Sequence, residues 1–356
     1  MSRNAIVSVA AINAAMSIST RDFTSVLLVS KSKDVKSPQN TPVAITSAGE
    51  LTKLGFQTTD KEYILVRDYF GASTKPDYIW FFGDASSASF TEILDGLDTR
   101  WKKKWFYTVA TITAESDVKE VSDFLKGSSN DYVALLQGAT NWDSATNLKI
   151  ATDNKVNNIL YVATDKEEGQ ITNILATIRN FFPGTVPFSS ILLNGLTGSG
   201  YSLTEILTLT GSERQSKTGV NIVTEEDQMV IPYYGKALDG ITWFDYTVAK
   251  IAIDEYMRVG ITEYIVGRNT RGEKISTKEN GRKQLASKGT SILREFANRG
   301  IIQDVDDLLE DQETSAFIVN VIAVNNREAE IEYKCWFEGA IIKAKIQITL
   351  DAENGN

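Results

Sequence analysis

No histidine occurs among the 356 residues. That gap removes Ser-His-Asp and Cys-His catalysis and the usual zinc ligand sets, each of which needs an imidazole to carry a proton or donate a ring nitrogen. Carboxylate-only catalysis and phosphate chemistry survive the exclusion. Cysteine is nearly as scarce: Cys335 stands alone, so no internal disulfide forms, and the residue fits a reducing compartment and reads as buried filler. Long hydrophobic runs are missing as well, and none reaches the length needed to span a bilayer. Ala5 to Ser19 after Arg3 imitates a signal peptide only faintly, since Ser8 and Asn13 interrupt it and one basic side chain precedes it. It reads instead as an extended arm, with Ile6, Val7 and Val9 available for strand pairing. Positive charge is in deficit, 37 basic against 46 acidic side chains for a net −9, which disfavours a general nucleic-acid binder.

What is present is an ordinary globular composition, 42% hydrophobic and 23% charged, in a chain long enough for two domains. There is no internal repeat and no low-complexity linker. After the arm, a strand is expected over Phe23–Val29. Ser47 and Glu50 have the spacing of a capping box ahead of a short helix that Gly55 stops. A second helix carries Tyr63, Val66 and Phe70 on one face, and a strand follows at Tyr78–Phe82, giving the order β, α, α, β. From about Ser86 to Leu209 helices (Phe90–Leu97, Val118–Leu125, Ile171–Phe182) alternate with strands (Trp105–Ile112, Tyr132–Leu136, Ile159–Ala163, Pro187–Leu193). Such alternation predicts an α/β layer structure.

Gly219 opens a different regime. Strands are expected at Val220–Val223 and Met229–Tyr234, then a long helix from Ile241 to Val259 and, after a polar stretch, a second whose Leu285, Gly289, Ile292, Phe296 and Ala297 share a face. Around that second helix Lys278, Arg282, Lys283, Lys288, Arg294 and Arg299 meet only Glu279 and Glu295, and six acidic residues from Asp304 to Glu313 follow at once. The bland reading is a solvated face; the sharper one is a docking face for an acidic partner. The chain closes on Phe317–Val324, Ala329–Phe337 and Ile342–Leu350. In the last, Ile342, Ala344, Ile346, Ile348 and Leu350 alternate with polar residues, the pattern of a half-buried strand.

Two stretches imitate phosphate sites. Gly211, Ser216, Lys217 and Thr218 have P-loop spacing, but a serine stands where the second glycine belongs and the next residues look extended. Gly195, Gly198 and Gly200 lie between an expected strand and a helix capped by Ser202 with Glu205, but their spacing reverses the dinucleotide fingerprint, so a plain βα turn is favoured. A nucleotide-binding α/β enzyme is the alternative that these glycines keep open.

In Pro42–Phe82 a Pro-Val-x-Ile-Thr-Ser start leads to a short helix ending Leu-Gly-Phe, a helix carrying Tyr69 and Phe70, and an aromatic strand. Gly219–Leu350 begins with a Gly-Val-Asn strand and the Gly240–Tyr246 lead-in to a long helix. It continues with a helix ending Asn-Arg-Gly-Ile-Ile and the closing strands. In this order of elements the chain resembles the tail sheath proteins of contractile phages and related phage-tail-like bacteriocins, over roughly half its length. The resemblance implies an α/β fold with an α+β inner domain built from both chain ends. Residues 1–20 would be an arm joining that domain, 21–218 an outer α/β domain whose 86–209 part is a variable insertion, and 219–356 the inner domain. It further implies a non-enzymatic subunit with no cofactor, metal or catalytic residue. Its terminal strands, around Ile6, Val7 and Val9 and around Ile346, Ile348 and Leu350, would pair with neighbouring copies. The basic helix, Arg282, Lys283, Lys288, Arg294 and Arg299, would face a tail tube. Implied partners are further copies in a helical sheath, the tube, and baseplate and tail terminator proteins, with no direct nucleic acid or membrane insertion. The setting would be a virion or phage-tail-like particle assembled in a bacterial host's cytoplasm. A non-contractile tail protein is the remaining structural alternative.

Overall fold

The computed structural model describes residues 3–8, 21–198, 219–303 and 317–339, apart from positions 75, 88, 102–103, 129–130, 140–143, 190, 227 and 326. In chain order the elements are β1 (Arg3–Ser8), β2 (Val26–Ser30), β3 (Val43–Ile45), α1 (Ala48–Lys53), α2 (Lys61–Phe70), β4 (Ile79–Gly83) and α3 (Phe90–Trp101). Then come β5 (Tyr107–Ala110), α4 (Glu115–Gly127), β6 (Val133–Gly138), α5 (Ser144–Asn154), β7 (Ile159–Ala163), α6 (Gln170–Ile178), β8 (Val220–Glu226) and β9 (Met229–Tyr233). The last four are α7 (Phe244–Thr270), α8 (Glu279–Ala297), β10 (Phe317–Ala323) and β11 (Ala329–Cys335).

Eight strands form one sheet in the order β3-β4-β2-β5-β6-β7-β8-β9, parallel from β4 to β8, with β3 and β9 antiparallel at its two edges. Apolar runs such as Val26–Val29 and Ile159–Ala163 build its middle because both faces are covered there. Leu27 and Val29 pack in a cluster with the residues of α3 and α4, while Val26 and Leu28 pack on the opposite side with those of α2, α6, α7 and α8. That second cluster continues through Phe244 and Phe296 to Ile331, Tyr333 and Cys335. The small sheet of β1, β11 and β10 is therefore built onto the same core.

Several expectations are corrected by this arrangement. Just past the division expected at 218/219, β8 pairs with β7 (Tyr161↔Val220, Val162↔Asn221) and β9 follows at the edge of the large sheet. The 86–209 stretch supplies β5, β6 and β7 of that sheet. Among the described residues of Pro187–Leu193 there is no strand, and only Leu193 bridges, to Val230. β3 and α5 add to the expected order. The capping box at α1 does not close: Ser47 makes no side-chain cap bond, and Glu50 reaches past it to the amide and hydroxyl of Thr46. The long helix begins at Phe244 and runs on to Thr270, through Gly260. A Cβ on Gly260 would lie 2.7 Å from Ile292 Cδ1 of α8, so this glycine serves close helix packing and ends nothing.

Candidate functional site

The small sheet is the part of the molecule best suited to recruit another chain. β10 and β11 pair antiparallel from Phe317↔Cys335 to Ala323↔Ala329, and β1 pairs with the other edge of β11 from Arg3↔Cys335 to Ser8↔Glu330. Alternation sorts their side chains. Phe317, Ile331, Tyr333 and Cys335 are buried toward α7 and α8, while Ile318, Asn320 and Ile322 stand in register with Lys334, Glu332 and Glu330 on the outer face. Val319 lies against Gly289 of α8, where a Cβ would come within 2.9 Å of its methyl. Ile318 and Ile322 remain 36% and 45% exposed, and among the described residues no strand pairs with the outer edge of β10. An unpaired edge beside exposed β-branched side chains is a template for strand addition.

One polar contact fixes this sheet to the helix beneath it. The Tyr333 hydroxyl donates to the Asp254 carboxylate of α7, and burial together with that carboxylate pushes the phenol far above its ordinary pKa. Burial, with Asp254 adding to it, also pushes the Cys335 thiol up to about 12. The sequence signal for this contact was available: a tyrosine on the inward face of an alternating strand needs a partner for its hydroxyl. Tyr333→Phe is expected to cost about 1.5–3 kcal/mol, the range for a hydrogen bond to a charged group. Thermal unfolding checks it, and an unchanged Tm would remove the contact from the anchoring of the sheet.

The structure distributes the other expected site residues as follows. Ile6 and Val7 stand opposite Glu332 and Ile331 of their own chain; Val9, Ile346, Ile348 and Leu350 lie outside the described residues. In the single chain, then, the arm expected to reach a neighbour sits on its own β11. The five cations do not form one face. At ~100° per residue Lys283 and Arg294 lie within about 20° of each other, whereas Lys288 is about 140° from Lys283. Lys283 pairs with Glu279 at 2.7 Å, and Arg299 pairs with Glu295 at 3.0 Å while covering the Phe182 ring. Arg282 and Lys288 are half-buried, and Arg294 is exposed.

Gly211, Ser216, Lys217, Thr218, Gly200, Ser202 and Glu205 lie outside the described residues. Gly198 is packed on β8, where a Cβ would sit 2.9 Å from the Glu225 amide nitrogen, and among the described residues no strand leads directly into Gly195. Open α/β sheets hold ligands past the carboxyl ends of the strands where the order reverses, here between β2 and β5. Side chains of the protein bridge that crevice. Lys31, just past β2, pairs with Asp117 at 2.8 Å and Glu120 at 3.1 Å of α4, and Ser30 and Ser32 donate to buried Glu62. Burial opposes the Asp117 charge, but Lys31 and the Thr113 and Ala114 amides outweigh it and hold that carboxyl below the usual range. A cavity of about 420 Å³ opens farther along, past β5, β6 and β7, lined by Lys61, Thr111, Gln137, Thr164, Lys166 and Ile171 among others. Among the described residues no group of acids and cysteine could hold a metal ion, and no helix is long and apolar enough to cross a membrane.

The fold is that of contractile-tail sheath proteins, and three solved structures carry the likeness. A chain of the anti-feeding prophage baseplate, determined by cryo-EM, matches 98% of this chain and 99% of its own at 12% identity with a TM-score of 0.67. The anti-feeding prophage helical sheath in its contracted state covers 98% of each chain at 12% identity and 0.58. The sheath tail protein Lin1278 of Listeria innocua covers 89% of this chain and 96% of its own at 10% identity and 0.54. No protein-family model matches the sequence, and no curated protein matches it.

Proposed function

We propose that this chain is a structural subunit of a contractile tail sheath, which polymerises helically around a tail tube and contracts to drive the tube through a target envelope. The observation that carries the reading is the small sheet: its strands come from both ends of the described chain, and the β10 edge and exposed Ile318 and Ile322 await a further strand. Near-full-length likeness to sheath and baseplate chains supports it. Main-chain pairing of a terminal strand with a different surface on the next copy is heterologous, and heterologous contacts that do not close make helical tubes. The work is mechanical. Copies held in a metastable lattice repack into a tighter one while strand pairing keeps the mesh intact, and no reaction is catalysed. The arms are Ile6, Val7 and Val9 at one end and Ile346, Ile348 and Leu350 at the other. The tube-facing surface is α8, where among the described residues Arg282, Lys288 and Arg294 pair with no carboxylate. Baseplate and terminator proteins cap the polymer, in a virion or phage-tail-like particle assembled in the bacterial cytoplasm.

Removing Met1–Val9, or ending the chain after Gly339, is expected to leave a folded protein that no longer forms tubes. Electron microscopy and sedimentation read the result. Tubes of unchanged length from either truncation would refute the role of the arms, and tubes of one fixed diameter under all conditions would indicate a non-contractile tail protein.

A further inference from the structure

The strand register places an assembly latch in the small sheet. We propose that β1 closes on its own β11 in the free chain, occupies the position that the arm of a second copy would take, and must leave before polymerisation. The inference rests on the strand-exchange reading above.

β1 covers β11 from Arg3↔Cys335 to Ser8↔Glu330, leaving only Ala329 of that strand beyond the paired register. β10 holds the opposite edge of β11. The slot therefore takes one occupant, its own arm or a foreign one. A backbone ladder offers the same hydrogen bonds whichever chain supplies the strand. What separates the two states is the tether. Residues 9–20 can span at most about 40 Å, and a connection of that length holds its strand at an effective concentration on the order of millimolar. Copies at micromolar concentration compete poorly against that, so the dilute chain stays closed. At the end of a growing polymer, additional contacts between copies tip the balance and the arm is exchanged, which is the logic of domain swapping. Closure thus keeps free subunits from pairing with each other away from an assembly site.

The register supplies the test, because Arg3 is the strand partner of Cys335, the chain's one cysteine. In Arg3→Cys, diamide takes up two hydrogens and the two thiols form one disulfide. Oxidised while dilute, this variant is expected to run as a monomer on a non-reducing gel with both free thiols lost, and to form no tubes until dithiothreitol reopens it. Arg3→Ser should assemble like the unmodified chain in both conditions. Disulfide-linked dimers in place of intrachain bonds in the dilute chain would overturn closure while leaving exchange intact. Oxidised, intrachain-linked monomers that assemble at the reduced rate would overturn the latch. If reduced Arg3→Cys, Arg3→Ser and the unmodified chain all fail to form tubes, the polymer reading itself falls and the latch with it.

Discussion

Replacing Phe296 by alanine is expected to lower the unfolding free energy by about 4 kcal/mol, within the ~3–5 kcal/mol range for removing a buried aromatic ring. The ring is fully buried near the end of α8 and meets Phe182 edge-on at 5.2 Å and Tyr256 of α7 at 5.5 Å. Tyr256 in turn stacks on Phe23, which packs edge-on against Phe106, the residue before β5. One residue thus joins both terminal helices to the large sheet, so the void left by truncation has walls on three elements that cannot all move in. Phe296→Leu refills most of that volume and should cost less than about 1.5 kcal/mol. Urea unfolding of the soluble monomer gives the comparison through its midpoint at constant slope. Equal costs for the two variants would mean that the ring's geometry matters more than the volume it fills. A cost below 1 kcal/mol for alanine would show that α8 is not part of the shared core.

The middle of the large sheet is legible in the sequence because its strands are buried on both sides and so appear as short apolar runs between amphipathic helices. Strand order is not legible in the same way. Gly219 looks like a domain start because composition changes there, yet β8 finds its partner in β7, and the Asn221 side chain donates to the carbonyls of Tyr161 and Lys236. No local window contains that information. At Gly260 too the local signal is weak: glycine has a low helix propensity, but the approach of Ile292 makes a missing side chain an advantage. α5 escapes because Ser144–Asn154 has too few apolar residues to show a helical stripe.

The candidate site divides similarly. The strand character of Ile6 and Val7 and the alternation of β11 are local properties and were readable; which β11 the arm would meet is a question of tether and concentration. The cations of α8 were gathered by nearness along the chain. Three-dimensional spacing separates Lys288 from Lys283 and Arg294, and Glu279 and Glu295, one helical turn away, take up two of the charges. The Lys31 network was invisible because Lys31 and its partners Asp117 and Glu120 are far apart in sequence.

The second large effect is a dependence on pH set by Asp245. This carboxyl lies in the first turn of α7 after Trp243, is 8% exposed, and is pushed up to about 6 by burial, against the pull of the Tyr246 and Asp245 amides. In the unfolded chain it titrates near 3.8, the ordinary value of an aspartate in water. Between these values the folded state binds more protons than the unfolded one, so stability falls as pH rises through that window. The penalty is absent below about pH 4 and fully present above about pH 6. Asp245→Asn keeps an acceptor for the helix amides and removes the charge. It should therefore leave stability unchanged at pH 4 and raise it at pH 7.5 by up to about 3 kcal/mol, the equivalent of a two-unit shift. The consequence reaches the small sheet, because the neighbouring Tyr246 stacks on Phe337 at 4.9 Å, two residues past β11. Loosening of this turn at neutral pH should thus be read by amide exchange around Phe337 as well as by unfolding. A gain that is the same at pH 4 and pH 7.5 would mean that shape, and not charge, limits α7 at this position.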